Sequence, residues 1–462
     1  MTGTTNGTYA LRPAESKHDQ FSDVDSIEVI NCGEDAAKHF LFDPQHRNLN
    51  HGSFGTYPKA IKTVFRHFQD QCESRPDWFL RYELPQRINE SRTAIAEYLN
   101  APVEACVFVP NATTGVNAVL RNLVFQPGEV IIYFATIYGA CQKSVEYILE
   151  TTPAEARQVE YTYPCSDDDL CAAFEKTVQR IKAEGKTPKV AIFDTIVSLP
   201  GVRVPFERLT KLCREHNVLS LIDGAHSVGH IPMDLNELDP DFYVSNCHKW
   251  LFVPRGCAVF FVPDRNQHLM RSSLPTSHGF VPRGSSAINN PLPPSAESEF
   301  VTQFGFTGTL DFSAYMCVPA ALKWRSKVAH GNLRGEEAIL AYCQQLAKEG
   351  GKLVADAFDT KVMENQEGTL GQCNLVNVPL TGLFEQAAGS DAATASKIVV
   401  WMAKTLTYGY NTFIAMIVYN NEIVVRLSSE IYLTLADFDW AAKTLKEVCE
   451  RVRNGEWKTP QK

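Results

Sequence analysis

Between residues 106 and 262 short, continuously apolar runs alternate with longer helical ones. Cys106–Val109, Glu129–Ala135, Lys189–Asp194, Val218–Asp223, Phe242–Ser245 and Ala258–Val262 read as strands, and Thr113–Val124, Ala140–Glu150, Asp167–Ala183 and Phe206–His216 read as helices. Strands apolar on both faces must be covered on both faces, and strand–helix–strand order supplies the cover, so a mostly parallel sheet with helices on either side is predicted. In such sheets a ligand sits at the carboxyl ends of the strands. The places to look are therefore just after Val109, Ala135, Asp194, Asp223 and Ser245.

The flanks read differently. Helices are predicted over 61–74 and 85–99, the second with Pro85 in its first turn. Residues 279–299, rich in Gly, Pro, Ser and Asn, read as a loop, and Phe312–His330 as a long helix linking two domains. Helices follow over 333–358 and 391–407, then a strand pair, Thr412–Tyr419 and Glu422–Leu427, joined by Asn420 and Asn421. A last helix runs from its N-cap Thr434 to Arg453. The expected division is a flexible leader (1–30), an N-terminal arm (31–60), a large α/β domain (61–320) and a smaller α+β C-terminal domain (321–462).

A net charge of -9 argues against a nucleic-acid partner, which calls for a basic face. No apolar run reaches the ~18 residues of a membrane helix. Met1–Asp25 lacks a signal-peptide core, which makes the cytoplasm the expected location. The 13 cysteines are scattered without a CxxC pair, so reduced thiols are expected and no metal site.

Chemistry concentrates at the strand ends. His248-Lys249 follows the Phe242–Ser245 strand, and a lysine amine there can form a Schiff base with an aldehyde. Asp223 ends another apolar strand, where a carboxylate can keep a pyridine nitrogen protonated. Asn111-Ala112-Thr113-Thr114-Gly115 opens a helix whose free N–H groups suit a phosphate. Arg426 lies in an apolar strand, and its guanidinium fork matches a carboxylate.

The order phosphate turn, acid, lysine resembles the aspartate-aminotransferase superfold of pyridoxal-phosphate enzymes (fold type I), which implies a large domain with a seven-stranded, mostly parallel sheet. The words Leu49-Asn50-His51-Gly52-Ser53-Phe54-Gly55, Asp223-Gly224-Ala225-His226 and Asn246-Cys247-His248-Lys249-Trp250 resemble the class V aminotransferase family. Within it they are similar to the branch holding isopenicillin N epimerase-like proteins and ergothioneine-pathway lyases, over most of the chain from Asn48 to Arg453. The resemblance implies pyridoxal 5'-phosphate as cofactor, with Lys249 as its Schiff-base lysine and Asp223 as the pyridine-nitrogen partner. It puts His226 near the ring hydroxyl and Ala112, Thr113, Thr114, Asn246 and His248 around the phosphate. Tyr138 takes the position at which cysteine desulfurases of the family carry a ring-stacking histidine, and a phenol can stack and also pass a proton. Gly308 and Thr309 resemble a segment that reaches the neighbouring subunit's phosphate, which implies a homodimer with shared sites. Arg426 would take the α-carboxylate of an amino-acid substrate, with Asn50, His51 and Ser53 beside it.

Members of the family diverge after the α-proton is removed. A desulfurase needs a nucleophilic cysteine on a loop ahead of the carboxylate arginine, but Thr405–Tyr419 has none, and Cys373 lies before a predicted strand. Two reactions remain, elimination across a C–S bond of a cysteine sulfoxide and epimerisation at an α-carbon. The resemblance favours elimination. A non-catalytic scaffold would be marked by loss of the lysine, and Lys249 is present. A trimethylammonium on the substrate would call for aromatic faces, for which Trp78, Phe79, Tyr82, Tyr408 and Tyr410 are candidates.

Overall fold

The computed structural model describes residues 21–284, 292–294, 296–389 and 391–459. Leader residues 1–20 and part of the 279–299 loop lie outside them. The main sheet has seven strands: β1 (Cys106–Val109), β2 (Glu129–Phe134), β3 (Glu155–Val159), β4 (Thr187–Asp194), β5 (Leu219–Asp223), β6 (Phe242–Asn246) and β7 (Ala258–Phe261). Their order is β1-β7-β6-β5-β4-β2-β3. Every pairing is parallel except those of β7, which runs antiparallel to β6 and β1. Apolar residues on both faces form two cores, one with Val107, Ile131 and Leu221, the other with Phe108, Ile132 and Ile222.

β3 is the strand that apolar patterning misses. It is an edge strand, and of its residues only Val159 is buried. The helix expected over Phe312–His330 is also corrected. A helical turn at Tyr315–Cys317 leads into a helix over Val318–Arg325, and the chain then becomes a strand, Val328–His330. That strand pairs in parallel with Ile30–Asn31 and antiparallel with Leu333–Arg334. Pairing with a segment some 300 residues away in sequence overrides local helical periodicity. Within the expected leader, Ser22–Asp25 forms a helical turn and Val24 is fully buried.

A second sheet follows, β8 (Leu375–Pro379), β9 (Ala415–Tyr419) and β10 (Glu422–Ser428), antiparallel in the order β8-β10-β9. Asn420 and Asn421 both have positive φ, as a tight hairpin turn of this kind requires. Helices Gly335–Ala357 and Leu435–Arg453 pack on each other, and the first also packs on β8. Thr434 caps the second through a capping box with Asp437.

The N-terminal segment locks the two sheets together. Ser428 of β10 donates its N–H to Leu49 O, and His51–Phe54 forms a helical turn against Cys247–Trp250. Gly55 is where the chains come closest. Its φ is +61°, and a Cβ there would lie 1.9 Å from His248 O and 2.7 Å from Lys249 Cα. Gly55→Ala is therefore expected to cost about 2–4 kcal/mol through strain and a backbone clash. A fall in Tm with weakened cofactor retention would show it; an unchanged Tm would disprove the close approach.

Candidate active site

Two strands end in acids at adjacent positions: Asp194 of β4 and Asp223 of β5 are register partners and both are buried. Asp223 accepts from Ala225 N at 3.0 Å and from Cys141 Sγ at 3.2 Å. Burial pushes both carboxyls above the usual range, and Asp223 raises Asp194 further, because two anions side by side in a dry site repel. Lys249 follows β6 on the short turn Cys247–Trp250. Burial and then Arg426 hold its amine down to about 8, against the pull of Asp223 and Asp194. Its Nζ lies 3.0 Å from His226 Nε2.

Asn111 caps the helix Ala112–Asn122, its side chain accepting from Thr114 N at 2.9 Å and Thr114 Oγ1 at 3.1 Å. Asn246 Oδ1 accepts from Ala112 N at 2.9 Å. The end of β6 thereby sets the orientation of the phosphate turn, and Asn246 holds that turn with its carbonyl. Thr113 is half-buried beside it. His248 is turned so that Nδ1 meets Cys257 O at 3.0 Å, and burial lowers its pKa to about 4.

Arg426 reaches the same region from β10. Its Nη1 donates to Ser198 O at 2.6 Å and its Nη2 to Asn50 Oδ1 at 2.7 Å and Ser53 Oγ at 3.1 Å. Gly201 admits the arginine stem, since a Cβ there would lie 2.8 Å from Arg426 Cδ. The guanidinium is buried, its Nε is unpartnered, and burial lowers its pKa only to about 10, so it stays charged.

His51 does not join the substrate pocket. Both ring nitrogens are taken, Nε2 by Lys249 O at 2.7 Å and Nδ1 by Tyr432 Oη at 2.9 Å, and the ring is buried. It supports the backbone of the lysine turn instead. Tyr138 ends up on the N-cap of helix Gly139–Thr151, 48% exposed. Thr309 is exposed, next to Gly308 with φ +102°. Of the aromatic candidates, Phe79 is buried in the core, Tyr410 donates to Glu447, and Trp78 lies under the guanidinium of Arg75. Tyr82 and Tyr408 are exposed. Sequence reasoning missed Asp194, Cys141 and Ser198. Only Asp194 left a signal, as a second acid closing an apolar strand.

A lysine, an acid, a helix N-terminus held by Asn111 and Asn246, and a charged arginine with a spare N–H thus converge at one end of the sheet. This set fits pyridoxal phosphate. Lys249 would carry its aldehyde carbon, Asp223 its ring nitrogen, His226 its ring hydroxyl, and the Ala112–Thr114 turn its phosphate. The family model for Aminotransferase class-V matches residues 79–439. An L-cysteine desulfhydrase-like protein of Epichloe uncinata is 38% identical, covering 92% of this chain and 98% of that one. The hercynylcysteine sulfoxide lyase of Schizosaccharomyces pombe is 29% identical over 90% and 98%. The cystine C–S lyase C-DES, solved with cysteine persulfide, shares the fold with a TM-score of 0.66 at 18% identity, covering 89% of this chain and 98% of its own. Fold and site together define a pyridoxal-phosphate enzyme of fold type I. The chain belongs to the class V aminotransferase family and is a lyase within it.

The buried groups dictate an unusual acid response. Burial holds His51 and His230 near 3, His248 near 4 and His226 well below its ordinary 6.5. The unfolded chain takes those protons first, so each histidine removes stability as pH falls below 6.5. Glu430, raised to about 8, and the raised Asp194 and Asp223 act in the opposite sense. Folded, they keep protons that the unfolded chain has released, which adds stability as pH falls to about 4.5, the ordinary glutamate value. Below that the histidines act unopposed. The unfolding free energy of the cofactor-free protein, followed by denaturant titration, should decline only gently to about pH 5 and then steeply, by up to about 5 kcal/mol per pH unit for four histidine protons. A steady decline starting at 6.5 would contradict the balance.

Proposed function

We propose that this protein cleaves the C–S bond of a cysteine-derived amino acid by β-elimination, with hercynylcysteine sulfoxide as its substrate. The observation that carries the elimination reading is Arg426, a buried cation with a spare N–H near Lys249, while the two thiols beside these groups among the described residues, Cys141 and Cys373, are buried and their pKa values are pushed up. Arg426 binds the α-carboxylate, and Asn50 and Ser53 hold its fork in place. Lys249, half-buried, takes the α-proton at Nζ. Bound pyridoxal phosphate supplies the electron sink for that carbon. Asp223 holds the proton on the ring nitrogen. Tyr138, exposed on its helix cap, gives a proton to the departing sulfur group. Overall the sulfoxide and one water give a sulfenic acid, pyruvate and ammonium.

A persulfide route lacks its nucleophile. Cys373, the cysteine that senses Arg426, is buried, and its thiol is pushed up to about 12. The desulfhydrase-like relatives support C–S cleavage in general; the Schizosaccharomyces relative supports the sulfoxide substrate. The pair Gly308-Thr309, half-buried and exposed respectively, would complete the phosphate site of a partner subunit in a homodimer.

Purified holoenzyme should release pyruvate from hercynylcysteine sulfoxide faster than from S-alkyl cysteine sulfoxides or free cysteine. Release of pyruvate from free cysteine alone would leave the elimination and remove the sulfoxide; inversion of an α-carbon, or a protein persulfide, would overturn both. Arg426→Ala should cost roughly 2–5 kcal/mol of transition-state binding with every amino-acid substrate.

Subunit sharing has a separate test. Mixed Lys249→Ala and Thr309→Ala subunits should regain activity, since one of the two hybrid sites is intact. No recovery after verified exchange would remove the shared site.

A further inference from the structure

We propose that Trp250, the residue after the lysine, sets the protonation of Lys249 through His226, as a positioning residue for cofactor capture. The argument is one of donors and acceptors. The Trp250 indole can only donate, and its Nε1 lies 3.2 Å from His226 Nδ1. His226 Nδ1 is therefore the acceptor. Burial, followed by the nearby positive charges of Lys249 and Arg426, keeps the ring neutral, so its single proton sits on Nε2. That N–H points at Lys249 Nζ from 3.0 Å. An amine facing a donor must offer a lone pair, so the lysine is held as the free base. The opposite arrangement, an ammonium donating to Nε2, would put a proton on Nδ1 and oppose it to the indole N–H.

The indole cannot turn away. Trp250 is fully buried and stacks on His230 with centroids 3.9 Å apart. Its carbonyl accepts from Arg325 Nη1 at 2.6 Å. His230 is fixed in turn: Asn374 N donates to its Nε2 at 2.6 Å, so its Nδ1–H donates to His226 O at 2.7 Å. The groups facing Lys249 otherwise pull in both directions. Burial and Arg426 favour the neutral amine; Asp223, Asp194 and Cys141 favour the ammonium. The oriented N–H adds its weight to the neutral amine, which is the form that attacks an aldehyde. Once Lys249 is engaged, the same N–H is left for an anionic oxygen of the bound ring. The inference depends on the cofactor, and it stands whichever sulfur compound is the substrate.

The test uses cofactor-free protein labelled with 15N-histidine, with the His226 signals identified by their loss in His226→Gln. Wild type should show His226 protonated at Nε2 and bare at Nδ1. Trp250→Phe keeps an aromatic ring against His230 and removes only the N–H. In it the His226 proton should redistribute towards Nδ1. The midpoint of the pH profile for recapture of pyridoxal phosphate, followed by absorbance, should rise by about one pH unit. A merely structural role would slow recapture equally at every pH. The proposal is overturned if wild-type His226 carries its proton on Nδ1, or if folded Trp250→Phe keeps the wild-type midpoint. Should that variant fail to fold, the wild-type spectrum alone decides.

Discussion

Lys249, Arg426, Asp194 and Asp223 meet where water is scarce, and a buried ionisable group must find a compensating neighbour or give up its charge. Here the cations and the anions answer each other. Arg426 keeps its charge, the lysine amine falls to about 8, and the paired carboxyls rise towards neutrality. In the proposed reaction this balance would meet three further charged groups, the cofactor's pyridinium and phosphate and the substrate's carboxylate. Much of the surrounding polar network, including the three neutral histidines behind the lysine, keeps this balance from being disturbed by stray protons.

Many of the contacts that fix this site come from far along the chain. Asn50 and Ser53 orient an arginine some 370 positions later, Asn246 fixes the helix that begins at Ala112, and His51 steadies the carbonyl of Lys249. The parallel sheet makes this possible. Its strands end on one edge, so acids and lysine from successive units arrive side by side without any long loop having to reach for them.

Much of that was legible in the sequence, because continuous apolar strands announce a covered parallel sheet, and a polar residue closing such a strand stands out. Lys249 and Asp223 stand out in this way, the helix opening at Asn111–Gly115 is legible from the strand before it, and Arg426 stands out instead as a cation inside an apolar strand. What escaped was decided by partners far along the chain. β3 looks polar because it is an edge; Val328–His330 looks helical until Ile30–Asn31 lies beside it. The sequence suggests His51 as a substrate contact because nothing local shows that Tyr432 and the Lys249 carbonyl claim both nitrogens. Hydrogen-bond competition of that kind is invisible to any pattern of neighbours.

The interlocking of Leu49–Gly55 with both the lysine turn and β10 has a consequence for the chain as it is made. The ribosome delivers this segment early, yet its partners at 248–249 and 426–428 emerge much later. The sheet can begin to assemble during translation, as domains generally do. The grip on Arg426 cannot close until β10 has left the exit tunnel, so the amine of Lys249 waits, from its own emergence until that of β10, in a site still missing its arginine.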